Sequence, residues 1–518
     1  MHVSRQSLVA NKLMPAQTAT GVSVGQPSVN KWAVLAVVTV GTFMTTLDAS
    51  IVNISLPSIA HAFGTSLTGT VEWVIIGYLV VIAALLLSVG RLADLIGRTP
   101  IWLAGLVIFT LGSAMSGAAP ALPLLIGARA LQGVGSAFIL ATGLAILSDT
   151  FPVSERGRAL GINAIALALG ASAGPTLGGV ITEHLDWRWI FYVNVPVGVA
   201  AVVASRHILP RTGHRVPGRF DPVGAVLLGV GVAALNLGFS FGQEWGWSSL
   251  FLIVTILIAV GALVGAVLYE RRAPAPLLDL NLFRNRVFSS ALVSLILSML
   301  ALFAVGFLLP FYFEELRGFS TQAAGLLLTP FSLTIAVVGP IAGSLADRFG
   351  SRWLSPVGLA IMALGLVLLA RLSLTSTIPE IVLPLIVVGF GQGLFLSPNS
   401  NALLGATPRD EQGQASGVLA MGRIVGQSLS VALAGAVFAS LGGANAGAAL
   451  ISVPPSLTDA QRTAAQTTFI DAFHTALLVC AAFAAFGVIT ALVRGQERLS
   501  AASTAATPPS QPTGVALQ

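Results

Sequence analysis

Long apolar stretches recur from one end of the chain to the other, and they limit the possible folds more than any other feature. A membrane-spanning helix needs about 20 mainly apolar residues, and a helix satisfies its backbone hydrogen bonds internally, as lipid requires. The stretches therefore predict an all-α membrane protein with 14 spans. Their approximate limits are 33–57, 71–90, 101–119, 122–147, 159–182, 189–209, 222–241, 249–269, 288–312, 322–345, 353–371, 379–404, 414–441 and 472–493.

The charge content agrees with this class and excludes others. Only 9% of the 518 residues are charged, whereas soluble domains average about 25%. A soluble enzyme, a nucleic-acid-binding module and a secreted disulfide scaffold are therefore excluded. The single cysteine, Cys480, leaves no internal disulfide and no cysteine-based metal cluster.

The distribution of arginine and lysine predicts the orientation. With the N-terminus inside, the inner segments hold twenty of the 26 cationic residues and the outer loops hold four, while Arg129 and Arg423 fall within spans. Cations favour the cytoplasmic side of a membrane. Both termini are therefore expected in the cytoplasm, in a multi-pass protein of the cell (inner or plasma) membrane.

Internal repeats divide the chain. The segment Gly90–Gly97, GRLADLIG, recurs 253 residues later as Gly343–Gly350, GSLADRFG, with Asp347 in the place of Asp94. Two related six-helix halves with a site between them are a transporter architecture. The predicted organisation is an N-terminal tail (1–31), an N-terminal bundle (32–210), a linker with an inserted transmembrane hairpin (211–272), a C-terminal bundle (273–494) and a disordered tail (495–518).

Two charged residues lie deep in the first half. Asp48 is about nine residues from the outer end of span 1, roughly 14 Å deep, and Arg129 is about seven residues from the outer end of span 4, roughly 10 Å deep. Burial favours the neutral, protonated form of a carboxyl, so Asp48 is a candidate proton carrier, and a nearby cation favours its charged form. The pair predicts a proton-coupling site facing a cavity. The alternatives are a structural pair between helices for Asp48 and packing contacts with backbone carbonyls for Arg129.

The short loop between spans 2 and 3 is a candidate inner gate. Asp94 is expected to meet the positive N-terminal end of a helix in the other half, near Gln414 of span 13. The loop's arginines can pair with carboxylates or lipid phosphates. The gate residues are Gly90, Arg91, Asp94, Gly97, Arg98 and, in the second repeat, Asp347.

Span 5 carries small residues at helical spacing. Gly170, Gly174 and Gly178 form a small-xxx-small stripe that lets two helix backbones approach, and Pro175 and Gly179 lie beside it. The expected result is a rocking contact between halves. The same segment contains G-x-S-x-G around Ser172, but a hydrolase needs this motif in a strand–turn–helix context, which a long apolar helix does not offer.

Polar and aromatic residues within spans are candidates for lining a substrate cavity. They are Asn53, Trp73, Tyr78, Gln132 and Asn163.

These motifs together resemble the 14-span drug:proton antiporters of the major facilitator superfamily. The resemblance rests on Leu47–Pro57 in span 1, Gly90–Arg98, Arg129–Gly135 in span 4, Gly170–Gly179 in span 5 and Trp187–Gly198. It covers about residues 30–495 and implies two pseudo-symmetric six-helix bundles plus two inserted central helices. Thr99 and Pro100 replace the basic residue that usually follows the inner-loop motif.

The resemblance implies proton-coupled export of hydrophobic or amphiphilic drugs or antibiotics by alternating access, and no enzyme. The expected partners are the substrate, protons and membrane lipids, with no nucleic acid, and a monomer is expected to suffice. No metal or other cofactor is expected beyond the proton gradient. The alternatives are export of an endogenous metabolite or lipid, and an intramembrane hydrolase that uses Ser172.

Overall fold

A computed structural model describes residues 30–65, 70–209, 221–246, 248–273, 280–407, 412–451 and 458–494, and these form helices joined by short turns. Within them, 13 helices are long and apolar enough to cross a membrane, and Leu354–Leu369 is a shorter apolar helix. The helices are α1 Lys31–Phe63, α2 Trp73–Ile96, α3 Arg98–Ala118, α4 Leu122–Thr150, α5 Val153–His184, α6 Trp189–Tyr192, α7 Asn194–Ile208, α8 Pro222–Trp245, α9 Leu250–Glu270, α10 Arg286–Phe311, α11 Thr321–Phe349, α12 Leu354–Leu369, α13 Ile378–Gly405, α14 Gln412–Ser440, α15 Gly443–Ile451 and α16 Asp459–Leu492.

Local chemistry sets the helix ends. The Asn30 side chain caps α1 by accepting hydrogen bonds from the backbone N–H groups of Trp32 and Ala33, and the helix stops at Gly64, whose φ is 60°. These are the residue types that begin and end helices. Gly97 joins α2 to α3 with a φ of 118°, a conformation that few residues other than glycine adopt.

The two halves repeat the same helix pairings. In the first half α1 packs on α5, α3 on α4 and α2 on α4; in the second half α10 packs on α14, α12 on α13 and α11 on α13. Helices that carry the repeated sequence motifs therefore occupy equivalent positions in the two halves. The inserted hairpin of α8 and α9 lies outside this scheme, and α8 packs against both α2 and α14.

The halves meet mainly along two helix pairs, α5 with α11 and α2 with α14, and α1 also contacts α10. A Cβ atom on Gly179 of α5 would lie 2.6 Å from the carbonyl oxygen of Thr321, and one on Gly325 of α11 would collide with the carbonyl of Pro175. Thr176 and Thr329 share a hydrogen bond of 2.5 Å beside them. The contact between the C-terminal part of α5 and the N-terminal part of α11 therefore combines close backbone packing with a hydrogen bond between side chains.

The all-α prediction is confirmed, while several boundaries differ. The sixth predicted span is broken at Val193 into α6 and α7, and α16 begins at Asp459 rather than near 472. The short helix Gly443–Ile451 was not predicted. The predicted tails, 1–31 and 495–518, lie almost wholly outside the described residues. Hydropathy marks the apolar centre of a helix, whereas polar first and last turns extend it into the interface.

Candidate functional site

Asp48 and Arg129 form a salt bridge in the interior of the first half. Asp48 lies on α1 and Arg129 on α4, and the guanidinium donates to Asp48 Oδ2 at 2.6 Å. The side chains are 0% and 1% exposed, respectively. Removing two charges from water is costly, and such a pair is stable only when the remaining polar atoms are also bonded.

Two amides complete the coordination of the carboxylate. Gln132, one turn after Arg129, donates to Asp48 Oδ1 at 2.8 Å, and Asn194 at the start of α7 donates to the same oxygen at 2.9 Å. Gln132 Oε1 in turn accepts from the Arg129 guanidinium at 2.6 Å. Three helices therefore supply donors or acceptors to one buried ion pair.

The second helix holds Arg129 from the other side. Arg129 Nε donates to the carbonyl oxygen of Val74 on α2 at 3.0 Å. The guanidinium lies 4.1 Å from the centre of the Tyr78 ring, and the Tyr78 hydroxyl shares a hydrogen bond of 2.7 Å with Ser136. A cation over an aromatic face is attracted to it, most strongly where water is excluded. We call Asp48, Arg129, Gln132 and Asn194, with Tyr78 and the Val74 carbonyl, the buried charge network.

This network is closed in the structure. The carboxyl of Asp48 does not face a watery cavity, and Tyr78 and Gln132 are 2% and 0% exposed. The expectation that these three residues line a cavity is therefore wrong for this conformation. The reason is that each polar atom finds a partner on a neighbouring helix, and such bonds compete with water for the same groups.

The other three cavity candidates lie apart from the network. Asn53 lies beside Gly306 of α10, where a Cβ on that glycine would be 3.3 Å from Asn53 Nδ2, so Asn53 is at the interface of the halves. Trp73 stacks on Phe241 of the inserted hairpin, with ring centres 5.9 Å apart. Asn163 on α5 is buried, and its Oδ1 has no hydrogen-bond partner.

The glycine stripe packs within the first half rather than between halves. Cβ atoms on Gly170 and Gly178 would lie 2.8 Å from the Phe43 carbonyl oxygen and 2.9 Å from the Ile51 carbonyl oxygen, both on α1, and Gly174 faces Ser50 of α1. The expectation that these glycines form the rocking contact between the halves is therefore wrong. The contact between halves is made by the adjoining face of α5, which carries Pro175 and Gly179.

The salt bridges that the structure describes for Asp94 and Arg98 lie inside the first half. Arg98 donates to Asp94 Oδ1 at 3.2 Å and to Asp149 Oδ2 of α4 at 2.6 Å. Gly90 and Arg91 lie in the last turns of α2. The predicted contact of Asp94 with the start of span 13 is not among these bonds, and residues 408–411 before α14 lie outside the described part, as does the Asp347 side chain.

Sequence reasoning missed Asn194 as a member of the site. A signal for this role exists in the sequence, because Asn194 is a polar amide within the otherwise mainly apolar segment Trp187–Gly198. Its Nδ2 also lies 3.2 Å from the Ser113 hydroxyl. What hid its role is distance along the chain, since Asn194 reaches Asp48 from 146 residues away.

Comparison with known proteins decides the family. The family model described as Major Facilitator Superfamily matches residues 38–223 and 291–515. The chain belongs to the major facilitator superfamily. The gap between the two matched segments contains the hairpin of α8 and α9.

Relatives in this superfamily are transporters. The chain is 35% identical over 411 residues to the riboflavin transporter RibZ of Clostridioides difficile (strain 630), covering 79% of this chain and 88% of that one. It is 35% identical over 404 residues to the multidrug resistance protein Stp of Mycobacterium tuberculosis (strain CDC 1551 / Oshkosh), covering 77% and 74%.

A solved structure shares the fold at low identity. It is a bacterial homologue of the human lysosomal transporter Spinster in an inward-facing and unoccupied conformation, with a TM-score of 0.64 and 16% identity, covering 91% of this chain and 99% of that one.

The chain is therefore a multi-pass membrane transporter and not an enzyme. The hydrolase alternative also lacks support in the structure. Ser172 lies inside the continuous helix α5, and its hydroxyl donates to the carbonyl oxygen of Ser332 on α11 at 3.0 Å. Its role is a contact between the two halves.

Proposed function

We propose that this transporter is a proton-coupled exporter of hydrophobic or amphiphilic small molecules, with both termini in the cytoplasm. The observation that carries the proposal is the buried charge network. A carboxylate at membrane depth that is neutralised by a guanidinium is neutralised equally well by a proton. Asp48 therefore has two competing partners, and exchange between them takes up or releases one proton.

The position of α2 links this exchange to movement of the halves. This helix supplies the Val74 carbonyl and the Tyr78 ring that hold Arg129, and it also packs against α14 of the second half. When one half tilts against the other, the contact with α14 pulls on α2; a small shift of α2 relative to α4 is sufficient to weaken the hold on Arg129. Asp48 then loses part of its pairing, and an incoming proton takes the place of the cation.

The available driving force is adequate for export. One elementary charge that moves through about 150 mV releases roughly 3.5 kcal/mol. At about 1.4 kcal/mol per decade, this sustains a gradient of a few hundredfold in the exported molecule. One proton per cycle is sufficient for resistance to a toxic substrate.

The test is proton release from energised inverted vesicles, read with a pH-sensitive dye after addition of ethidium, rhodamine 123 or riboflavin. Asp48→Asn keeps the shape of the side chain and removes the titratable group. We expect wild-type vesicles to release protons on addition of a transported compound, and Asp48→Asn vesicles to bind the compound without proton release.

A matched control separates coupling from damage to the fold. Ser205 accepts a buried hydrogen bond of 3.0 Å from Trp102 in the same half, so Ser205→Ala removes one interior hydrogen bond away from the network. This variant should retain proton release. Full proton-driven export by Asp48→Asn, at a normal protein level, would show that the proton site is elsewhere.

Export of an endogenous metabolite is the second candidate function. It is favoured by the 35% identity to a riboflavin transporter, a value equal to that for the multidrug relative. The same vesicles discriminate the two. Release of protons on addition of riboflavin but of no drug supports a metabolite carrier, and release on addition of several unrelated drugs supports the multidrug function.

A further inference from the structure

A second arginine lies deep in the membrane, in the half that lacks Asp48. Arg423 is on α14, 11 residues after the helix begins at Gln412. This corresponds to about 16 Å at 1.5 Å per residue, close to the middle of the bilayer. An ionisable residue at this depth is costly and usually faces a partner or a water-filled cavity.

Arg423 has no charged or hydrogen-bonded partner among the residues that the structure describes. Its Nε is buried without an acceptor, while the side chain as a whole is half-buried. Because Nε is buried while the residue as a whole is partly exposed, the accessible part of the side chain lies elsewhere than Nε. Arg494, the other buried arginine of this half, lies at the end of α16 and donates to Asn399.

The glycines of α14 fix the direction in which Arg423 points. Gly417 faces Leu87 of α2, and Gly435, five turns later, faces Glu72, the residue directly before α2; Gly422 and Gly426 face α10. At about 100° per residue, Arg423 lies about 120° from the α2 direction and beyond the α10 direction. It therefore occupies one of the two gaps between these neighbours.

The two gaps differ in chemistry. The gap of Arg423 also carries the polar residues Ser416 and Gln427. The opposite gap is apolar, as a face toward lipid and the inserted hairpin must be, and carries Val418, Met421, Val425 and Ala432. A helix that separates water from lipid has this pattern. The Arg423 gap is accordingly the one that faces the space between the halves.

We propose that Arg423 anchors an anionic group, such as a carboxylate or another oxyanion, of the transported molecule. The first half neutralises its intramembrane arginine with Asp48, whereas the second half presents to the space where cargo passes a cation that has no counter-charge among the described residues. Guanidinium binds carboxylates and phosphates through paired, directional hydrogen bonds. The inference rests on the proposed export function and adds the chemical class of the cargo.

Binding to the purified full-length protein in lipid nanodiscs tests this inference without a proton gradient. The probes are fluorescein, an anion at neutral pH, and rhodamine 123, a cation with the same ring system, and both are followed by fluorescence anisotropy. We expect the wild-type protein to bind fluorescein more tightly than rhodamine 123. Arg423→Gln should weaken fluorescein binding by about tenfold or more, the loss of a charge-assisted hydrogen bond, and leave rhodamine 123 binding unchanged or improved.

Two further variants keep the test decisive. Arg423→Lys preserves the charge and should keep the preference for fluorescein, even if Arg423→Gln folds poorly. Arg371→Gln removes an exposed cation outside the spans and should change neither affinity. Equal loss of both probes in Arg423→Gln with no rescue by lysine would overturn the proposal, as would wild-type protein that does not prefer fluorescein.

The outcome is separable from that of the proposed function. Preference for fluorescein in binding, without proton release when fluorescein itself is added to the vesicles, upholds the anion site and contradicts proton coupling. Proton-coupled export of cations by a protein that does not bind fluorescein contradicts the anion site alone.

Discussion

Each half of this transporter carries an arginine inside a membrane-spanning helix, and the surroundings of the two arginines differ. Arg129 is enclosed by a carboxylate, an amide, a carbonyl and an aromatic ring. Arg423 has none of these among the described residues and is half-buried. The halves thus share helix pairings but differ at these two arginines, because Arg129 is paired with a carboxylate and Arg423 has no such partner among the described residues.

This difference suits the two halves of a duplicated fold to two tasks, proton exchange in the first half and ligand binding in the second. A closed charge pair responds to protons and to helix movement, because both compete for the same carboxylate. An open charge responds to ligands. The predictions below test this contrast, beginning with the largest expected effect.

Substitution of Arg129 and substitution of Arg423 should change the free energy of unfolding by very different amounts. Arg129→Gln leaves Asp48 charged and buried, and breaking such a pair costs about 3–5 kcal/mol. Arg423→Gln removes a costly intramembrane cation that has no partner among the described residues, so it should leave the free energy of unfolding unchanged or increase it. Reversible unfolding in detergent mixtures, followed by tryptophan fluorescence, measures both. Similar losses of unfolding free energy in the two variants would contradict the contrast between a paired Arg129 and an Arg423 that has no partner in the described part of the chain.

Removal of both charges from the first half should recover most of the loss. Asp48→Asn combined with Arg129→Gln replaces the ion pair by amides of similar shape, and a hydrogen-bonded neutral pair can be as stable as a buried ionic one. The double variant should unfold within about 1–2 kcal/mol of wild type and remain unable to release protons. If its cost equals the sum of the single substitutions, Asp48 and Arg129 do not act as a pair.

A counter-charge in the second half should make it resemble the first. Gln427 lies four residues after Arg423, so Gln427→Glu places a carboxylate next to the guanidinium on the same face. The preference for fluorescein over rhodamine 123 should fall by about three- to tenfold, because the cation is then neutralised within the protein. Gln427→Asn is the neutral control and should keep the preference. Retention of the full preference in Gln427→Glu would argue against Arg423 as the anchor.

The smallest effect is expected at the ring over Arg129. Tyr78→Phe removes the hydroxyl that is bonded to Ser136 and keeps the aromatic face. We expect a loss of about 0.5–1.5 kcal/mol in the free energy of unfolding and unaltered proton release. A loss of coupling in this variant would show that the hydroxyl, and not only the ring, belongs to the exchange.

The sequence was sufficient for the helical architecture and for the pairing of distant charges by depth. Span lengths follow from bilayer thickness, and the repeat around Asp94 indicates two halves. Asp48 and Arg129 lie at similar depths, and they form a salt bridge in the structure. Hydropathy and depth are one-dimensional quantities, so they identify the level of a residue in the membrane.

Hydropathy and depth do not predict how each helix is rotated about its own axis, and therefore which neighbour each side chain faces. Gly170, Gly174 and Gly178 face α1 rather than the other half, and Gln132 faces Asp48 rather than a cavity. Both outcomes depend on which neighbours surround a helix, and neighbours are set by contacts between residues far apart in the chain. Asn194 was missed for the same reason.

The contact of α5 with α11 has a consequence for how such transporters diversify. Gly179 and Gly325 bring two main chains together. The hydroxyls of Ser172 and Thr176 add hydrogen bonds beside them, so the joint depends on small residues and a few short polar side chains. Substitutions elsewhere in the passage can change what is carried without altering this joint. Mechanical movement and molecular recognition are thereby inherited separately.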